Sequence, residues 1–284
     1  MFNSIVVAVD LVSNVHRALP VARSLAELGN LPIQLLTVST PSMAEEVDIY
    51  ALERLAEHHG ISPLSCIIDH SDDAGWAIAR HVNNGEGSLL VMATTAKAPV
   101  RRNFLGTVTE SVLTRVDGPV LLLGPQVPAT CRLDSPTVVA CVDETDAAAD
   151  AALPVIAGWV HTFGGGRPCC AEVIPAAAGT AGHVHAASRL GEYAARLAAY
   201  GVDASWKVLH GGDPTDWLAD FAETVEDAVL VAVSTRWTDW VTHRHSATRC
   251  LVHTTARPVL VVPARTAANR SSDADPAVVV GAAR

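Results

Sequence analysis

The chain has no apolar run approaching the ~18 residues that a membrane helix needs, so no bilayer-spanning helix is expected among its 284 residues. It also lacks positive charge. Twenty basic side chains stand against thirty acidic ones, a net charge of −10, which repels a phosphate polymer and argues against nucleic acid as a partner. No C-x-x-C spacing occurs among Cys66, Cys131, Cys141, Cys169, Cys170 and Cys250. Adjacent Cys169 and Cys170, in an extended segment, face opposite ways, so reduced thiols are expected. The pairs His183-x-His185 and His243-x-His245 have no cysteine or carboxylate at ligand spacing, and no metal is expected. Neither a Ser-His-Asp arrangement nor a glycine-rich loop followed by Lys-Ser/Thr is present. The first residues enter a strand-like segment with no basic stretch or small-residue cleavage site, which leads to the expectation of a cytoplasmic protein.

What the chain does have is an internal repeat. Ile5-Val6-Val7-Ala8-Val9-Asp10 returns as Val138-Val139-Ala140-Cys141-Val142-Asp143, and Gly118-Pro119-Val120-Leu121 returns as Arg257-Pro258-Val259-Leu260. Both ends of a unit of roughly 125 residues recur in order, which predicts two domains of one fold. The boundaries expected are 1–126 and 134–264, with a loosely ordered tail at 265–284. Apolar runs at 4–9, 32–38, 64–68, 89–93 and 119–123 are short and Val/Ile/Leu-rich, as suits strands buried on both faces, and the second unit repeats them near 137–142, 168–174, 203–209, 228–234 and 258–262. Between them lie helical spacings. Leu19, Val21, Ala22, Leu25 and Leu28 share one face before Gly29-Asn30, and Leu52, Leu55, Ala56 and His59 another before Gly60. Asp213-Pro214 reads as a capped helix start, with Asp72-Asp73 in the matching place. Trp76 and Trp217, four residues after Asp72 and Asp213, are expected to pack helix on sheet. Alternating strands and helices make this an α/β chain of two five-stranded parallel sheets, Rossmann-like in class.

Ligands of open parallel sheets sit beyond the carboxyl ends of the strands. There the sequence places Asp10, Val38 and the segment Ala93-Thr94-Thr95-Ala96, followed after nine residues by Gly106-Thr107-Val108 opening a helix. A small residue, a hydroxyl and unpaired amides at a helix N-terminus form an anion site. The strand ending in Asp10, Leu35-Leu36-Thr37-Val38, Phe104-Leu105-Gly106-Thr107-Val108-Thr109-Glu110-Ser111-Val112 and Gly118-Pro119-Val120-Leu121 together resemble the universal stress protein family, as a tandem member of the adenine nucleotide alpha hydrolase-like class.

That resemblance implies regulators of stress survival rather than enzymes. It implies a G-2x-G-9x-G-(S/T) motif for ATP, bound with Mg where binding occurs. Asp10 matches the acidic residue facing ribose or phosphate, Val38 the position whose backbone meets adenine, and Ala93, Ala96, Gly106 and Thr107 the motif, with alanine at both early glycines, so the first site is expected to be degenerate, its phosphate binding weakened without being abolished. The second unit aligns as Asp143, Val173, Ala232, Thr235, His245 and Ser246, with no motif glycine, so ATP is not expected there. No acid, base or nucleophile is arranged for catalysis, and slow ATP hydrolysis is the most activity expected. The alternative is a scaffold without nucleotide, either with its last strands pairing the two domains within one chain or with another apolar face pairing two chains as a homodimer.

Overall fold

The computed structural model describes residues 2–11, 16–39, 49–94, 105–142, 146–234 and 246–263. Its strands are β1 (Ser4–Ala8), β2 (Ile33–Ser39), β3 (Ser65–His70), β4 (Ser88–Ala93), β5 (Val120–Leu123), β6 (Thr137–Cys141), β7 (Cys169–Pro175), β8 (Ser205–Gly211), β9 (Ala228–Ser234) and β10 (Val259–Pro263). The helices are α1 (Ala18–Gly29), α2 (Ile49–His58), α3 (Ala74–Asn83), α4 (Thr107–Arg115), α5 (Asp146–Phe163), α6 (Gly179–Ala198), α7 (Pro214–Glu223) and α8 (Ala247–Thr254). The α/β class is as expected. The expected two sheets are one, however, ten strands in the order β3-β2-β1-β4-β5-β10-β9-β6-β7-β8.

The seam is the pairing of β5 with β10. It is antiparallel, with Val120 opposite Val261, Leu121 opposite Leu260 and Leu122 opposite Val259, while every other neighbouring pair is parallel. Each strand is the last of its half. Left alone, it would present unpaired backbone groups, and each satisfies the other. The two halves thus meet about a local twofold passing between Leu121 and Leu260, which are equivalent residues of the repeat.

Strand residues alternate between two cores. Ile5, Val7, Leu35, Leu89 and Val91 join α1, α2, α5 and α6 on one face, and Val6, Leu36, Leu90 and Met92 join α3, α4, α7 and α8 on the other. Each fully buried aliphatic side chain contributes about 1.5–3 kcal/mol. Both cores run across the seam, and Phe2 of the first half packs on Trp159 and Phe163 of the second, with ring centroids 6.1 and 5.6 Å away. The segment between β5 and β6 is also anchored, through buried Val127 and Leu133 and a hydrogen bond donated by the Leu133 amide to the Ser24 hydroxyl at 3.0 Å.

Local signals hold with two corrections. Helix α1 ends at Asn30, which takes the left-handed conformation at φ 49° that asparagine tolerates, and Asp73 and Asp213 cap α3 and α7. Leu28, however, is 40% exposed, because it lies at the margin of the apolar stripe in the last turn. Trp76 and Trp217 are both 45% exposed, so neither is the buried wedge expected, although the Trp217 ring does lie against Gly211 at the end of β8. They stand in the first turns of their helices, where the Arg80 guanidinium lies 4.4 Å from the centre of the Trp76 ring.

Candidate functional site

In each half the chain runs outward from a central strand in both directions. The first half switches between β1 and β4, which pair from Ser4 and Ser88 to Ala8 and Met92. Such a switch point opens a crevice at the carboxyl ends of the strands. Asp10 lies just past β1, Val38 near the end of β2, Ala93 at the end of β4, and Gly106 caps α4. The structure therefore brings Asp10, Val38, Ala93, Gly106, Thr107 and Val108 to one sheet edge, while Ala96 lies outside the described residues.

Gly106 carries the most specific geometry. Its φ is +102° and ψ 149°, a conformation that side chains disfavour, and a Cβ built there has nothing within 4 Å among the described residues. Glycine is thus required by conformation, and no described residue occupies the space beside it. Among the described residues no side chain caps α4, and its first amides carry the partial positive charge of a helix start. Thr107 and Val108 in its first turn are exposed.

Ala93 answers part of the question posed by the missing glycines. It sits in an extended strand, paired with Leu123, and its methyl packs against the first core. Its backbone therefore has no need of glycine. Beside it, Thr94 is 1% exposed, donates its amide to the Leu123 carbonyl at 2.9 Å, and has a buried hydroxyl without a hydrogen-bond partner among the described residues. His16 stands within electrostatic range of Asp10. Burial holds its imidazole below the ordinary histidine range, with the Asp10 carboxylate pulling the other way.

The position of α4 is set by contacts that sequence reading missed. Its Ser111 hydroxyl donates to Asp73, the cap of α3, at 3.2 Å, and Arg115 pairs with the same carboxylate at 3.3 Å. Glu110 accepts from the Leu105 amide at 3.3 Å, just before the Gly106 turn. The same carboxylate takes a two-pronged ion pair from Arg249 of α8, Nε to Oε1 at 2.9 Å and Nη2 to Oε2 at 2.7 Å.

The second half has the switch between β6 and β9 but a different helix start. Ser246 is the cap of α8, at φ −87°, and its hydroxyl accepts from the Arg249 amide at 3.4 Å. A side chain thus fills the role that α4 leaves open. The register also corrects the alignment of the motif. Leu90 pairs with Val120 and Leu230 with Val259, so the counterpart of Ala93 is Val233, not Ala232, which faces the other core. Val173 lies in β7 as expected, while Asp143, Thr235 and His245 lie outside the described residues. His183 stacks on His210, with Nδ1 and Nε2 3.0 Å apart, and no group of three metal-ligating side chains occurs among the described residues. Burial pushes the Cys141 and Cys170 thiols up to about 12, which leaves them inert near neutral pH.

Residues 1–124 match the family model described as the universal stress protein family. The first half belongs to the universal stress protein family. Across the whole chain the same fold is found in a universal stress protein from Archaeoglobus fulgidus, 19% identical over 93% of this chain and 99% of that one, with a TM-score of 0.63. A putative universal stress protein from Pseudomonas aeruginosa is 17% identical over 92% of this chain and 93% of its own, at 0.62. A functionally unknown protein from the same organism is 16% identical over 92% of each chain, at 0.63. No curated protein matches the sequence. Among the described residues no helix is long and apolar enough to cross a membrane.

Proposed function

We propose that the chain is a regulatory stress-response protein whose first half binds adenine nucleotide, with the phosphates at the start of α4, and whose second half supports that site without binding ATP. The observation that carries this reading is Gly106, a helix start at positive φ that no side chain caps and no neighbour crowds among the described residues. Asp10 and Val38, at the neighbouring strand ends, are the residues to which the family resemblance gives ribose and adenine, and Mg would accompany ATP through its phosphates. Against this stands Ser246, which closes the equivalent helix with its own hydroxyl. Titration calorimetry of the whole chain with ATP-Mg is expected to give saturable heat that Gly106→Asp removes, since a carboxylate there opposes phosphate and strains the turn. No heat at millimolar nucleotide, in both proteins alike, overturns the reading.

A scaffold without nucleotide is the second reading, and the fused sheet favours it. Joining β5 to β10 makes one rigid ten-stranded platform with β3 and β8 as its edges. In that case the native mass and melting temperature are indifferent to ATP.

A further inference from the structure

Glu110 and Arg249 occupy equivalent places in the repeat. Thr109, Val112 and Leu113 are buried on α4, and Thr248, Leu251 and Val252 on α8, so the two buried faces superpose with Glu110 on Arg249. Across a twofold, equivalent residues meet one another. Here they meet as opposite charges, their side chains only 17% and 5% exposed, with both guanidinium prongs engaged. Two first halves joined through β5 would set Glu110 against Glu110. Two second halves joined through β10 would set Arg249 against Arg249. Either would bury like charges with no partner, which costs far more than the pair itself returns.

A second feature of the seam argues against the pairing of two second halves. At Gly124, next to β5, a Cβ would collide with the carbonyl of Val252 in α8. The equivalent residue of the second half, one past Val262 as Gly124 is one past Leu123, is Pro263. Two second halves would drive that ring into the Val252 carbonyl.

We infer that Glu110 and Arg249, with Gly124, are the recognition element of the seam: each half accepts the unlike half as partner and rejects its own kind, including that of a second copy of this chain. The tether already raises the local concentration of the correct partner. The charge pair adds discrimination where other copies are abundant.

Charge reversal in the full-length chain tests this. Glu110→Arg and Arg249→Glu each place like charges in the seam, and the double variant Glu110→Arg/Arg249→Glu restores opposite ones. Both single variants are expected to melt well below wild type and the double variant to recover most of the loss. Co-refolding isotopically labelled Glu110→Arg chains with unlabelled Arg249→Glu chains makes every contact between chains complementary. Native mass spectrometry is then expected to show at least about tenfold more mixed two-chain species than a labelled and unlabelled wild-type mixture. If single chains fail to refold alone, their recovery as soluble mixed species supports the inference equally. A double variant no more stable than the singles, or a mixture no richer in mixed species than wild type, overturns it.

Discussion

The starts of α4 and α8 are the same place in two copies of one fold, and they have been finished differently. At α4 the cap is a glycine at φ +102° with no side-chain hydrogen bond, and at α8 it is a serine at φ −87° whose hydroxyl accepts from Arg249. A self-capped helix gains stability of about 1 kcal/mol and gives up the unpaired amides that an anion needs. An uncapped one keeps them and forgoes that stability. The difference teaches that one helix start can be finished in two ways, with the first amides left open at α4 and taken up by a local side chain at α8.

The largest expected effect breaks the link between the two starts. Arg249→Met leaves the Glu110 carboxylate buried and unpaired and is expected to cost about 3–5 kcal/mol in urea unfolding, with weaker ATP affinity because a bare carboxylate then stands in the first turn of α4. Next, Gly106→Ser gives the start of α4 a capping residue of the kind that α8 has. Strain of about 1 kcal/mol or more at positive φ, together with the added hydroxyl, is expected to weaken ATP binding about tenfold or more by calorimetry, with the fold retained by circular dichroism. The converse change is smaller. Ser246→Ala removes the cap of α8 and is expected to cost about 1 kcal/mol, and nucleotide binding by the chain stays as it was.

The smallest effect is pH-dependent and falls on the first half. Burial holds His16, His59 and His81 below the ordinary histidine value of about 6.5. An unfolded chain therefore takes up more protons than the folded one as pH falls through 6.5 toward the folded values. The stability these rings contribute is complete above that window and is lost on acidification through it. Urea midpoints are expected to fall from pH 7.5 to 5.5, with amide exchange rising first around α2 and α3. Equal loosening of both halves would remove this distinction between them.

The strands, the helix caps at Asp73 and Asp213, and Gly106 were legible because each depends on residues close in sequence. The apolar runs alone placed all ten strands to within a residue or two. The pair Glu110 and Arg249 was not legible, since only the meeting of β5 with β10 brings residues so far apart in the chain into contact. The counterpart of Ala93 was misread by one position because matching residue types, Ala232 for Ala93, cannot reveal which face of a strand each occupies. Pairing register decides that, and it selects Val233. Likewise, glycine replaced by alanine at position 93 read as a loss, but extended backbone there makes alanine an ordinary strand residue.

The seam also has a consequence for the order in which the molecule is made. Strand β5 emerges from synthesis with the whole first half behind it and its partner, β10, still more than a hundred residues from being built. Until then an apolar edge, Val120 to Leu123, and the Glu110 carboxylate wait uncovered, at a stage when contacts distant in sequence form slowest. Exposed edges of this kind invite pairing with the wrong strand. The chain is therefore most vulnerable as a finished first half awaiting its second, and conditions that slow elongation between β5 and β10 should lower the yield of soluble protein more than the same delay placed within the first half.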